Sequence, residues 1–265
     1  MHIIAHRGFN GRYPEMSPLA YEQALTLPIH GVECDVRLTR DGQVVCTHDR
    51  TMQRVAGDPV VVSQATAGQL KKLNIAQTFA PNPEAPASSR YPASYPPTGL
   101  PPAGQPLVQH LLTLDELLDM VFATDDKHLY IETKHPSRAG RMLEEQLVLR
   151  LRYHNLLQSR RIHVISFSHV AMRRMRALAP KIETFYLRRD WEARVNPKDV
   201  RLSASKGLGL SVARGHSSPW LITDNTYMWT VNEPADMAWA RDHGVSVMAT
   251  DFPDVALDVV GSGKL

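Results

Sequence analysis

The chain has 265 residues, 43% of them hydrophobic and 7% aromatic, enough for a sizeable core in one large α/β domain or two small ones. Its 30 basic and 27 acidic residues leave a net charge of +3, and the bases do not gather in one run, which argues against a nucleic-acid partner. The 2 cysteines exclude a disulfide scaffold, and the absence of a leader-like segment or a long apolar run predicts a cytoplasmic chain without stable membrane insertion.

His2–His6 reads as a short apolar strand. Ser17–Leu27 follows with Leu19, Ala20, Ala24 and Leu27 at helical spacing. Gly31–Arg37 is the next strand, Asp41-Gly42 a turn, and Gln43–His48 a further strand. Too few residues separate those two strands for a parallel crossover, so they are expected to form an antiparallel hairpin extending above the sheet. Ser63–Leu73 reads as a helix capped by Ser63.

Nine of the 19 prolines then fall between Pro81 and Pro106. Proline fixes φ and removes a backbone donor, so 78–107 is expected to be a semi-rigid extended insertion, either a surface loop or a lid. Thr113, with Glu116 three residues on, caps a helix through Val121. His128–Lys134 is a strand, Gly140–Leu157 a long amphipathic helix, Arg161–Phe167 a strand, and Val170–Leu178 a helix stopped by Pro180. Ile182–Leu187 and Gly207–Val212 are weaker strands. Tyr227–Val231 is a strand, Glu233–Asp242 a helix and Val245–Thr250 the last strand.

Without the hairpin strand, eight strands alternate with helical segments. That predicts a closed parallel α/β barrel over 1–265 as a single domain, in preference to an open doubly wound sheet. No Gly-x-Gly-x-x-Gly follows the first strand, which argues against a dinucleotide site.

Strand residues two apart share a face. Glu33 and Asp35 therefore point together, as do Glu132 and Lys134, while Cys34 faces the helix shell and no disulfide with Cys46 is expected. Two acids on one face and a third on a nearby strand repel unless their pKa values rise or a cation sits among them. An all-carboxylate set favours Mg²⁺ or Ca²⁺ over zinc. His6 and His48, at the same mouth, are candidates for general base and general acid. Arg7 and Lys134 either balance the acids or clamp an oxyanion. Glu15 either caps the helix that begins near Ser17 or supports the site from behind.

His6-Arg7-Gly8, Pro14-Glu15, Glu33-Cys34-Asp35-Val36, Thr39-Arg40-Asp41-Gly42, Val44-Val45-Cys46-Thr47-His48-Asp49, Glu132-Thr133-Lys134, Trp229-Thr230-Val231-Asn232 and Thr250-Asp251-Phe252-Pro253 together resemble the glycerophosphodiester phosphodiesterase family. The resemblance implies a TIM-type (β/α)8 barrel, to which the short connection after Arg37 adds the β-hairpin extension. It implies one divalent cation and hydrolysis of small-molecule glycerophosphodiesters, such as glycerophosphocholine or glycerophosphoethanolamine, to glycerol 3-phosphate and an alcohol. Residue by residue it implies Glu33, Asp35 and Glu132 as metal ligands, His6 and His48 as the acid/base pair, Arg7 and Lys134 as phosphate contacts, and Trp229 as a wall of the glycerol pocket.

The family's usual proline-glutamate-asparagine-threonine run stands here as Pro14-Glu15-Met16-Ser17, and the helix between Val212 and Tyr227 reads as curtailed. Two other readings use the same residues. One is a lysophospholipase D or sphingomyelinase D-like enzyme, which needs an apolar surface such as Tyr91, Tyr95 and Leu100. The other is a barrel that binds phosphodiesters without catalysis.

Overall fold

The computed structural model describes residues 1–82, 85–86, 88–89, 101, 105–137, 139–190 and 197–261. Among them are nine strands: β1 (His2–Ala5), β2 (Gly31–Leu38), β3 (Val44–Cys46), β4 (His128–Thr133), β5 (Ile162–Ser166), β6 (Glu183–Leu187), β7 (Gly207–Ser211), β8 (Thr226–Trp229) and β9 (Val247–Thr250). Eight run parallel, and β1 pairs with both β2 and β9, which closes the barrel. β3 is the ninth. It pairs antiparallel with the outer half of β2, Val36 opposite Cys46, as the short connection requires.

Alternation along the strands sorts the interior into three levels. Ile3, Ala5, Val32, Cys34, Val36, Leu129, Ile131 and Val164 face outward into the main core beneath the helices. The inward positions carry a smaller cluster across the middle of the barrel, made of Ile4, Tyr130, Ile165, Phe185, Leu187, Tyr227, Val247 and Ala249. Above that layer, toward the C-terminal strand ends, the inward residues are acids and their cations. Below it they are histidines.

The lower level starts one step from the strand beginnings. His2 stacks on His30 and His30 on His128, each with ring centroids 3.8 Å apart, and His128 Nδ1 lies 2.9 Å from His163 Nε2. Gly31 makes this close approach possible, because a Cβ there would sit 2.1 Å from the carbonyl oxygen of His128. Burial first, then neighbouring imidazoles, pushes His30 down to about 3 and His128 down to about 4.

Several predicted boundaries move. The helix Leu114–Phe122 begins as expected, with Thr113 and Glu116 in a reciprocal capping box. The helix predicted to start at Ser63 starts at Ala67 instead. Val62–Gln64 forms only a 3₁₀ turn, and Thr66 with Gln69 makes the capping box that sets the true N-terminus. Helices at Gln53–Ala56, Pro197–Ser203 and Pro253–Gly261 lie where no helix was predicted. The curtailed helix after β7 is short, Val212–Ser217, followed by a single turn Pro219–Leu221.

Both cysteines are free and buried in the core beneath the helices. Among the described residues no helix is long and apolar enough to cross a membrane.

Most of the predicted insertion, including Tyr91, Tyr95 and Leu100, lies outside the described residues. Its described positions dock on the last helix and the first loop. Ser88 Oγ and Ser89 N reach Asp258, at 2.8 and 2.5 Å, and the Pro86 carbonyl accepts from Arg12 at 2.8 Å. Arg12 is itself locked in a buried ion pair with Asp254, 2.6 Å.

Candidate active site

The upper mouth is assembled from the ends of β1, β2, β4, β8 and β9 and from the hairpin. Glu33 and Asp35 alternate inward on β2, and Glu132 lies beside Asp35 on β4. All three carboxylates are buried, and one oxygen of each lies within 4.8 Å of the others. Lys134, the next inward position after Glu132, bridges Asp35 and Glu132 at 2.8 and 2.7 Å.

Arg7 approaches from the β1 end. It takes φ 56°, a left-handed conformation that costs a non-glycine residue roughly 1–3 kcal/mol. In return its backbone N–H donates to Glu33 Oε2 at 3.0 Å and its Nε lies 3.0 Å from Asp35 Oδ2. Met16 also takes a positive φ, 52°, and its N–H closes the same loop onto the Arg7 carbonyl, 2.9 Å.

Glu15 does not cap a helix. Ser17 is the N-cap of Pro18–Leu25, through Ala20 N. Glu15 instead accepts from both Arg54 terminal nitrogens at 2.7 and 2.6 Å and from Arg7 at 3.4 Å, supporting the mouth from behind. Arg54 continues to Asp49, 2.5 Å, and Asp49 holds His48 Nδ1 at 2.7 Å. Arg37, the inward position after Asp35, donates twice to the His48 carbonyl, at 2.9 and 2.7 Å, and so fixes the backbone that presents the imidazole.

His6 is held in the same manner. Its Nδ1 lies 2.7 Å from Asp251 Oδ1, at the end of β9, while Nε2 faces Glu33 at 3.9 Å. Asp251 is steadied by Asn232 (2.8 Å) and Asn10 (3.2 Å). Each imidazole therefore has Nδ1 on a carboxylate, an arrangement that fixes ring orientation and leaves Nε2 for other work.

The electrostatics follow from burial. Burial, reinforced by Asp35, pushes Glu33 well up, and burial pushes Glu132 up to about 7, with Lys134 opposing. Burial works against Asp35 as well, but Lys134 and Arg7 outweigh it and hold this carboxyl below its usual range. His48 is lowered, chiefly by burial.

In the connected network the five acids Glu15, Glu33, Asp35, Asp49 and Glu132 meet the three cations Arg7, Arg54 and Lys134. With every group ionised, the acids outnumber the cations, and the excess negative charge favours a bound cation. The oxygen-only donor set fits a hard ion.

The structure thus brings His6, Arg7, Glu15, Glu33, Asp35, His48, Glu132 and Lys134 into one mouth. Trp229 lies at the end of β8, edge-on to Phe167 with centroids 5.3 Å apart, and joins none of these ion pairs. Its buried Nε1 has no hydrogen-bond partner among the described residues. Sequence reasoning assigned no role to Arg37, Asp49, Arg54, Asn232 or Asp251. Alternation from Asp35 points to Arg37, whereas no sequence spacing reveals the Arg54 link.

A mouth of this kind, on a closed (β/α)8 scaffold, suits an enzyme that holds an anionic ester beside a divalent cation, and places the molecule among the metal-dependent barrel hydrolases. Residues 6–255 match the model of the glycerophosphoryl diester phosphodiesterase family. The "Probable glycerophosphodiester phosphodiesterase 1" of Mycobacterium tuberculosis is 33% identical, over 95% of this chain and 89% of the relative. The glycerophosphodiester phosphodiesterase of Bacillus subtilis is 29% identical, over 95% and 84%.

Among solved structures, a glycerophosphodiester phosphodiesterase from Parabacteroides distasonis superposes with a TM-score of 0.77 at 23% identity, over 100% of this chain and 98% of that one. An Oleispira antarctica phosphodiesterase, in complex with its product sn-glycerol-3-phosphate, gives 0.74 at 19% identity, over 98% and 97%. The chain belongs to the glycerophosphoryl diester phosphodiesterase family and is an enzyme that hydrolyses glycerophosphodiesters.

Proposed function

We propose that the enzyme releases sn-glycerol 3-phosphate and a free alcohol, with Glu33, Asp35 and Glu132 holding Mg²⁺ or Ca²⁺. The convergence of three buried carboxylates with two imidazoles, each held by its own carboxylate, carries this reading. A bound divalent ion supplies Lewis-acid stabilisation of charge developing on a nonbridging phosphate oxygen.

The chain's own groups do the rest. Arg7 and Lys134 keep Asp35 ionised and present cationic N–H groups to the phosphate. One of His6 and His48 takes the proton of the nucleophile through Nε2; that nucleophile is a water, or the substrate's 2-hydroxyl, in which case a water then opens the resulting cyclic phosphate to glycerol 3-phosphate. The other gives a proton to the alkoxide as its bond to phosphorus breaks. Asp251 and Asp49 hold the two rings in place, and the indole of Trp229 walls the glycerol side, its unpartnered N–H available to a hydroxyl.

The test is a coupled assay for glycerol 3-phosphate over choline, ethanolamine, glycerol and inositol diesters, with Mg²⁺, Ca²⁺ or EDTA. Metal-dependent release from at least one diester is expected. Metal-independent turnover, or release of the alcohol without glycerol 3-phosphate, overturns the proposal.

A further inference from the structure

At the other end of the barrel, five neighbouring strands deliver a second convergent set of side chains. His2 opens β1, His30 precedes β2, His128 opens β4, His163 is the second residue of β5, and Glu183 opens β6. One ligating nitrogen from each of His30, His128 and His163 lies within 4.8 Å of the others. A cavity of about 280 Å³ borders them, lined also by His2, Glu183 and Lys206. Four residues along β4 separate His128 from Glu132, about 13 Å at the rise of a strand, with Tyr130 and the apolar layer between.

Two further observations point to a ligand. His163 is only 5% exposed, and its Nδ1 is paired with Glu183 Oε2 at 3.3 Å. A carboxylate beside Nδ1 holds the ring so that Nε2 presents its lone pair inward, the pattern that supports metal-bound histidines. That same Nε2 faces His128 Nδ1 at 2.9 Å, so two nitrogens converge on a position that now accommodates a single shared proton. Glu183 is in turn anchored by Lys206, 2.6 Å.

We propose that His30, His128 and His163 form a second metal site, for a transition-metal ion such as Zn²⁺, with Glu183 as the carboxylate that orients His163. Three imidazole donors with no first-contact carboxylate select Zn²⁺, Co²⁺ or Ni²⁺ and discriminate against the Mg²⁺ or Ca²⁺ that suits the upper mouth. Binding exchanges the shared proton for the cation. It sets the three nitrogens about 3.3 Å from one another, the spacing that bonds of about 2.0 Å impose at tetrahedral zinc. A fourth position opens on the cavity. The ligands come from segments distant in sequence, so the ion acts as a clamp on the lower rim of the barrel.

The experiment is titration of the metal-stripped full chain with Co²⁺ in saturating Mg²⁺, read by visible absorption and by calorimetry, with a parallel Zn²⁺ melting series. One equivalent of Co²⁺ with ligand-field bands is expected, together with a rise in Tm on adding Zn²⁺. The bands persist in Glu33→Gln, vanish in His128→Gln and His30→Gln, and appear in Glu183→Gln with affinity lowered about 10–100-fold.

Wild-type imidazole resonances, followed by NMR during Zn²⁺ addition, give a readout that does not depend on any variant folding. Coordinated shifts of three histidines are expected. Several results overturn the site: no stoichiometric Co²⁺ bands, bands that survive both histidine changes or disappear in Glu33→Gln, no histidine shifts, or a Tm raised by inorganic phosphate and not by Zn²⁺.

Discussion

At the C-terminal end of the barrel, Glu33, Asp35 and Glu132 are buried carboxylates braced by Arg7 and Lys134. At the N-terminal end, His30, His128 and His163 are packed imidazoles with one carboxylate, Glu183, at their edge. The strand β4 carries members of both sets. His128, Tyr130, Glu132 and Lys134 are successive inward positions of a single strand and its extension, and His2, Ile4 and His6 repeat the pattern on β1.

The difference shows how one alternation supports two chemistries. Burial drives a carboxyl toward its protonated, neutral form and an imidazole toward its unprotonated, neutral form. At the upper end the protein counters this with fixed cations, which keep Asp35 charged.

The largest expected contrast comes from removing an acid. Glu33→Ala abolishes metal-dependent release of glycerol 3-phosphate, checked by the coupled assay together with calorimetric Mg²⁺ titration. Unchanged metal affinity in that variant removes Glu33 from the ligand set.

His48→Ala lowers kcat by a factor of roughly 10²–10⁴, the range for losing a general acid or base. Steady-state kinetics that match wild type eliminate it from proton transfer. Asp251→Asn acts one step back, through His6. A loss of about 10–100-fold in kcat, with a shifted limb of the pH–rate profile, marks a positioning role. A pure loss of stability with unchanged kcat contradicts it.

A smaller effect separates the two ends by the sign of their response to pH. In chelator, Glu132 has a folded value of about 7 against an ordinary 4.5, so the folded state binds the extra proton between them. Its contribution to stability is present below about pH 4.5 and is lost as pH rises through about 7. His30 and His128, at about 3 and about 4 against an ordinary 6.5, reverse the sign. The unfolded chain then binds the extra protons, and stability falls as pH drops below about 6.5.

Denaturant midpoints measured from pH 4 to 8 are expected to show a shallower first slope in Glu132→Gln and a shallower second slope in His128→Gln. Variants that keep the wild-type slopes break the distinction.

Much of this was legible in the sequence. The barrel follows from the count of strands. The same-face pairing of Glu33 with Asp35 and of Glu132 with Lys134 follows from period-2 alternation, and the hairpin from the few residues between Arg37 and Gln43. Chain order hid the rest. Arg54 reaches Glu15 across 39 positions and Asp251 reaches His6 across 245, contacts that only the closed barrel creates. Thr66 capped a helix ascribed to Ser63 because both are good caps, and only the backbone at Thr66 is extended with its side chain on Gln69 N. The histidine level was readable by stepping back two residues at a time from Glu132 to His128, yet histidines at strand starts are ordinary until Gly31 lets their rings meet.

The three carboxylates are proposed to hold the divalent ion on which phosphodiester hydrolysis depends. The most direct test of that assignment is the rate of glycerol 3-phosphate release by metal-stripped protein, with and without added Mg²⁺ or Ca²⁺, in wild type and Asp35→Asn. Wild type regains turnover on addition of one of the two ions and Asp35→Asn does not. Full turnover in chelator, or equal recovery in the variant, contradicts it.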